Sequence, residues 1–370
     1  MGRTRWAKVA GVGFAAAMAL GCSPRAKPIK EVPDLLPDAA PPPAAPSATT
    51  APVEEPPEVA EIERAAKALE NCRPEPVGDY ENCTEWAEWH RRETAWFEDK
   101  DRDELVIGLL GSEHAAVRYA AAEALSLCKR FQTDKALATK LMTALEKEKD
   151  PQVGPSLVRA IQVLDYESVG LLKRAHAVVK AHPNKELRLA LIREAGLIPG
   201  TAPILLELFD GADEELKRAI VQGVFLGEEK SACAVYEKAL KSGDDRMSDM
   251  TVAAIATTNR CQDLLAPVIG WLGKLKEPPT DSNIGENIGN LCAWPGNPRQ
   301  HAQLLAQAKR LAMKGRTEIR SGALKSVMRC DAKLGPGFVR AFTKDKDPKV
   351  ADAARQLLAE PPGQAHMDVL

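Results

Sequence analysis

Apolar residues recur along this chain at a helical period, in blocks that themselves recur. From Val117 to Leu358 one pattern returns eight times, with Glu194, Thr251 and Ser326 as polar exceptions: an apolar residue, another four later, then an apolar pair at seven and eight. The register is set by Val117, Val153, Leu187, Leu216, Met247, Ile284, Ile319 and Val350, which lie 29 to 37 residues apart. Within a block, the spacing predicts an amphipathic helix. Between blocks there is room for one further helix, such as 104–110, and two turns. A repeat of that length predicts stacked helical hairpins that bury their apolar faces only against one another.

Polar punctuation follows the same register. Three residues before the register position stand Asp150, Asp213, Asp244, Asp281 and Asp347, with Asn184 in the third repeat. Each is expected to cap its helix by accepting from free amides of the first turn. Pro151 and Pro348 follow two of these aspartates, at the first helical position, where a missing N–H costs nothing. His114 and Arg316 break the pattern in repeats one and seven. One residue past the register position come Arg118, Arg188, Lys217 and Arg320.

Aspartate at the turn, a hydrophobe and then arginine resembles the HEAT repeat, particularly the short bacterial form related to bilin-lyase repeats. The resemblance covers about residues 101–361. It implies an all-α fold, a HEAT-like α-solenoid of about eight helical hairpins, with inner helices lining a concave side. It also implies aspartate–arginine ladders between neighbouring repeats. Gly154, Ser248, Gly285 and Ala351 replace the arginine, so a ladder is expected to be interrupted there.

The chain begins differently. Arg3, Arg5 and Lys8 precede an apolar run from Val9 to Leu20, too short to span a bilayer and typical of a secretory signal. It ends in Ala19-Leu20-Gly21-Cys22, which resembles a bacterial lipobox despite alanine where that family usually has leucine. The resemblance implies cleavage after Gly21 and a lipid on Cys22, leaving 1–21 as a lipoprotein signal peptide. Ser23 follows the cysteine, without the aspartate that enteric bacteria read as inner-membrane retention, so the expected address is the outer membrane of the cell envelope. Residues 23–60 hold eleven prolines in 38 residues, and the expected tether, 22–60, has too little apolar area to form a core. At about 3 Å per residue it would reach on the order of 100 Å.

Residues 61–100 are expected to form a helical cap over the first repeat, with Thr84 capping its second helix and Trp86, Trp89 and Trp96 on one side. Those rings have two readings, packing or a stacking platform for a cell-wall glycan. Residues 362–370 are a tail. Cys72 and Cys83 flank a turn-like stretch and are the expected disulfide. Cys233 with Cys261, and Cys292 with Cys330, either bridge successive repeats or sit as small hydrophobes in a helical core. Cys128 completes an odd set.

The chain carries a formal charge of −2, which becomes −5 once Arg3, Arg5 and Lys8 are removed. No basic run remains, which with the export signal argues against nucleic-acid binding. Six positions past the register lies a polar row containing Arg159, Arg193 and Lys325, and these are the candidate partner-binding residues. One position earlier lies an aliphatic row, Ala122 to Leu324, that suits an amphipathic partner if exposed and is core if not. The long sixth-repeat loop, 273–282, between Trp271 and Trp294, is either a tolerated insertion or an edge of the binding face. No histidine pair has metal-ligand spacing, no His-Glu dipeptide occurs, and no nucleophile motif or phosphate loop is present. No catalytic residue, metal or cofactor is therefore expected. The expectation is a scaffold binding a protein or peptide. The alternatives are a bilin-lyase-like cofactor handler and a glycan binder.

Overall fold

The computed structural model describes residues 59–73, 83–96, 100–127, 132–294 and 297–359. The signal peptide, Cys22, the tether up to Glu58, Cys128, the tail and the side chain of Trp96 lie outside the described residues. Every regular element described is helical, and no strand occurs among the described residues. The chain divides into two compact units, 1–171 and 172–370, so the cap groups with the first two repeats.

The first unit contains α1 (Val59–Leu69), α2 (Thr84–Trp96), α3 (Lys100–Leu109), α4 (Ala115–Leu127), α5 (Lys135–Lys147), α6 (Val153–Gln162) and the single turn α7 (Tyr166–Val169). Ile62, Ala66 and Leu69 fall on one side of α1 and are buried, and α1 packs on α2, α3 and α4. Helices α4 and α6 pack on each other, and α3 and α5 do likewise.

The second unit runs α8 (Leu172–Ala181), α9 (Lys185–Glu194), α10 (Thr201–Phe209), α11 (Glu214–Gly223), α12 (Glu229–Lys241), α13 (Asp245–Thr258), α14 (Leu265–Lys274), α15 (Ile284–Cys292), α16 (Pro298–Lys314), α17 (Thr317–Cys330), α18 (Gly335–Arg340) and α19 (Pro348–Ala359). The odd-numbered helices from α9 to α19 pack in chain order on one another, and the even-numbered ones from α8 to α16 form a second layer. Seven of the eight register residues are buried, and Leu216 is half-buried. The helical period in the sequence therefore marks the seam between successive hairpins.

The helix starts follow the predicted capping at most sites. Asn184, Asp213 and Asp244 accept from the amides of Leu187, Leu216 and Met247 at 2.8–3.1 Å. Asp347 takes the Lys349 amide at 3.0 Å, with Pro348 as the first residue of α19. Two predicted sites differ. Asp150 does accept from the Gln152 amide at 2.9 Å, but helix α6 starts at Val153, so Pro151 lies in the preceding turn and not at the first helical position. Helix α15 starts at Ile284, whose amide goes to the Ser282 hydroxyl at 3.0 Å, and Asp281 turns instead to Arg246 at 3.3 Å. At α2 the Cys83 sulfur, and not Thr84, accepts from the Trp86 amide at 3.2 Å.

Candidate partner-binding surface

The polar row was the sequence's candidate surface, and most of its cations are already engaged. Arg159, on α6, is paired with Glu123 on α4 and also donates to Ser156. Lys325, on α17, donates to Glu286 on α15 at 2.7 Å. Asn290, in the same row, accepts from Arg329 at 2.6 Å. These groups join one hairpin to the next. Arg193 is different: it is exposed at the end of α9 and makes no ion pair with any described residue, and Gln222 in the next hairpin is exposed as well. Arg159 belongs to the first unit, while Arg193 and Lys325 sit on α9 and α17 with three register helices between them.

The aliphatic row is core. Ala122, Val158, Ile192, Val221, Val252 and Leu324 are all buried, and Arg355 at the end of the row is exposed. An amphipathic helix would find no apolar strip there.

Between hairpins, charge is used in a pattern the sequence showed only in part. Arg118 forms a two-pronged pair with Glu148, at 2.8 and 2.9 Å, and also donates to the Ser112 carbonyl. Arg320 does the same with Asp345 and donates to the Ala312 carbonyl at 2.9 Å. In both cases the acceptor stands two residues before the capping aspartate. Burial would raise Glu148, but Arg118 and the Asp150 and Lys149 amides outweigh it and hold the carboxyl below its ordinary range. Cations outside the expected position also link neighbouring hairpins, whether or not that position holds a cation. Lys185 reaches Asp213 and Glu215 at 3.4 and 3.2 Å, Arg218 pairs with Asp244, and Arg246 reaches Asp281. The expected interruption after Ser248 is thus filled from Arg246, two residues before it.

Gly285 breaks the ladder for a different reason. A Cβ on it would stand 2.4 Å from the Ile319 carbonyl oxygen and 2.9 Å from the Ala323 amide. One on Gly322 would meet the Glu286 amide at 3.0 Å. Helices α15 and α17 therefore approach backbone to backbone. The Gly289 amide donates to Ser326 Oγ at 2.7 Å, and that hydroxyl donates to the Gly285 carbonyl.

All six cysteines among the described residues are bonded in pairs: Cys72 with Cys83, Cys233 with Cys261, and Cys292 with Cys330. The second ties α12 to the turn before α14, and the third ties the ends of α15 and α17. Of the two readings the sequence left open for the latter pairs, the structure has the bridges. Cys72, Cys83 and Glu85 lie close enough to share a metal ion. With the two sulfurs bonded to each other, however, neither is a thiolate ligand.

The tryptophan cap presents no platform through Trp86 and Trp89, which are buried. Trp86 packs against Tyr119 at 5.1 Å between ring centres. Trp271 and Trp294 are buried too, and Trp271 donates to Asp245 at 2.9 Å. The sixth-repeat loop is pinned at its middle and at its end. Arg316 donates to the carbonyls of Pro278 and Pro279, and Ser282 donates to Asp249 at 2.6 Å. Burial, with help from Asp281, pushes Asp249 up to about 6 against the pull of Ser282.

No protein-family model matches the chain, and no curated protein matches it in sequence.

Proposed function

We propose that the chain is a HEAT-type α-solenoid, exported and lipid-anchored through Cys22, serving as an interaction scaffold in a bacterial envelope. It holds a protein or peptide partner on the side lined by the register helices. Its membrane is the outer one, and the work is binding rather than catalysis.

One observation carries the reading: three disulfides, two of them between successive hairpins. Such bonds persist where the surroundings are oxidising and are rare where thiols are kept reduced. They agree with the signal-like start, which lies at the other end of the chain from Cys292 and Cys330. Closing loops of 28 and 38 residues contributes roughly 3 to 4 kcal/mol each in the chain-entropy picture, which suits a rigid binding body. The partner contact is Arg193 with Gln222, because Arg159 and Lys325 already serve hairpin-to-hairpin pairs. A polar contact of this kind favours a partner carrying carboxylates over an amphipathic helix.

Crosslinking in intact cells tests this, with recovery through a C-terminal tag. One dominant protein partner is expected, lost in Cys22→Ala and weakened in Arg193→Glu. Recovery of wall fragments or a bound chromophore, with no protein partner, would contradict the scaffold and favour the glycan or bilin-lyase-like alternative.

A further inference from the structure

Charge is distributed very unevenly along this chain. Residues 298–359 hold fourteen Lys and Arg against five Asp and Glu, a formal +9, which leaves −11 to the other 308 residues. No run of cations marks this in the sequence, because the positions are scattered over α16 to α19. Several are consumed internally: Arg310 donates to the Leu272 and Leu275 carbonyls, and Arg320 and Lys325 are paired as described. Arg316, Arg329 and Arg355 are engaged as well, and most of the remaining cations are exposed.

They gather around α18. That helix turns Gly335 and Val339 inward, where both are buried. On its opposite side Lys333, Arg340 and Lys344 follow one another at helical spacing, all exposed and none in an ion pair with a described residue. Beside this line stands Leu334, 65% exposed, the most exposed large apolar side chain among the described residues. Four residues on is Phe338, half-buried, with Lys309 of α16 5.5 Å from its ring centre. One turn along α16 from Lys309 is Met313, 57% exposed, the next most exposed large apolar residue. The two strongest exceptions to apolar burial thus lie within the most basic stretch of the chain.

We infer that the α18 segment, 331–346, with Lys309 and Met313 of α16 beside it, is a docking surface for an anionic lipid bilayer. The argument is the combination of charge and protruding apolar groups. Long flexible cations suit phosphate headgroups, which they reach while their stems lie on apolar surface. Exposed Leu334 and Met313 are the apolar side chains that such an interfacial segment would bury. Three lysines and an arginine on flexible stems match a fluid anionic plane better than the fixed geometry that a folded partner demands. This surface stands apart from Arg193 and does not depend on a lipid at Cys22.

Amide hydrogen exchange on the full chain tests it, because the readout is local and binding through Val9–Leu20 does not count. The probes are vesicles of phosphatidylcholine alone, vesicles with added phosphatidylglycerol, and soluble polyglutamate. Exchange over 331–346 is expected to slow several-fold with the anionic vesicles, to recover at about 0.5 M salt, and to be unchanged by the other two probes. Lys333→Glu with Lys344→Glu should abolish the slowing, with helical content and melting temperature unchanged because both residues are exposed. Leu334→Ser should weaken it. The inference is overturned if anionic vesicles leave the segment unchanged, or if the double variant remains protected. Equal protection by polyglutamate would also overturn it, since the site would then take an acidic polymer without needing a bilayer.

Discussion

Two contacts between successive register helices, α4 with α6 and α15 with α17, do the same structural job by opposite means. In the first unit the hairpins are linked by charge. Arg118 reaches from α4 to Glu148 just ahead of α6, and Arg159 reaches back to Glu123. In the second unit α15 has Gly285 where the arginine would stand, and the α15–α17 contact closes to backbone distance over glycines, with a half-exposed Lys325–Glu286 pair and a disulfide at its end. The difference teaches that a repeat can lose its signature residue without losing its junction. A charged junction fails when one partner is removed, because the other is left buried and unpaired. A glycine junction fails when an atom is added.

The largest effect is expected from Glu148→Ala. Its side chain is 3% exposed and that of Arg118 18%, so truncation takes the carboxylate from a half-buried guanidinium and leaves it carbonyl partners such as Ser112; the loss should be about 3 kcal/mol. Urea unfolding followed by hydrogen exchange should place the loss in the first unit. A loss below about 1 kcal/mol would show that the pair is solvated like an ordinary surface bridge.

Cys292→Ser with Cys330→Ser comes next, at about 2–4 kcal/mol, and the loss should appear in the second unit. Dithiothreitol should lower the melting temperature of the native chain and leave that of this variant less affected. If reductant moves both alike, the Cys292–Cys330 bond is not what stiffens the α15–α17 contact. Gly285→Ala should cost about 1–3 kcal/mol, because the atoms its Cβ meets belong to backbone and cannot swing away. By contrast Lys325→Ala, which removes a half-exposed pair from the same contact, should cost about 1 kcal/mol or less.

Asp249 sharpens the comparison by pH. Its folded-state value, about 6, lies above its ordinary 3.8, so folding favours the protonated form. The stability this carries is present below about pH 4 and is lost as pH rises through about 6. Asp249→Asn keeps an acceptor for Ser282 and removes the loss, so it should stabilise the second unit by about 1–2 kcal/mol at pH 7 and by little at pH 4. Glu148 has the opposite sign. Its lowered value means that stability is lost as pH falls below the ordinary carboxylate range. Chemical denaturation at the two pH values, read separately in each unit, checks both.

The helical seam was legible because the burial that stabilises it leaves a period in the sequence, and the register residues lie where that period put them. Asn184, Asp213 and Asp244 were legible as caps for a similar reason: a cap acts within its own first turn. What is long-range was harder. Nothing local announces that Arg246 takes over from the missing arginine at Ser248, or that Gly285 is a contact rather than a gap. The polar row predicted Arg159 and Lys325 as open to a partner, but a carboxylate from the neighbouring hairpin, Glu123 or Glu286, lies within reach only after folding. The positive balance of 298–359 is countable in the sequence; what only folding shows is which of its cations stay out of ion pairs and that Leu334 and Met313 stand exposed among them.

The most direct test of an exported, disulfide-bonded, lipid-anchored scaffold is the intact mass of the native protein, extracted from membranes without reductant. The account predicts a chain beginning at Cys22, heavier by its lipid and lighter by the six hydrogens of three disulfides. A chain that still begins at Met1, unacylated and with titratable thiols at Cys292 and Cys330, would contradict it.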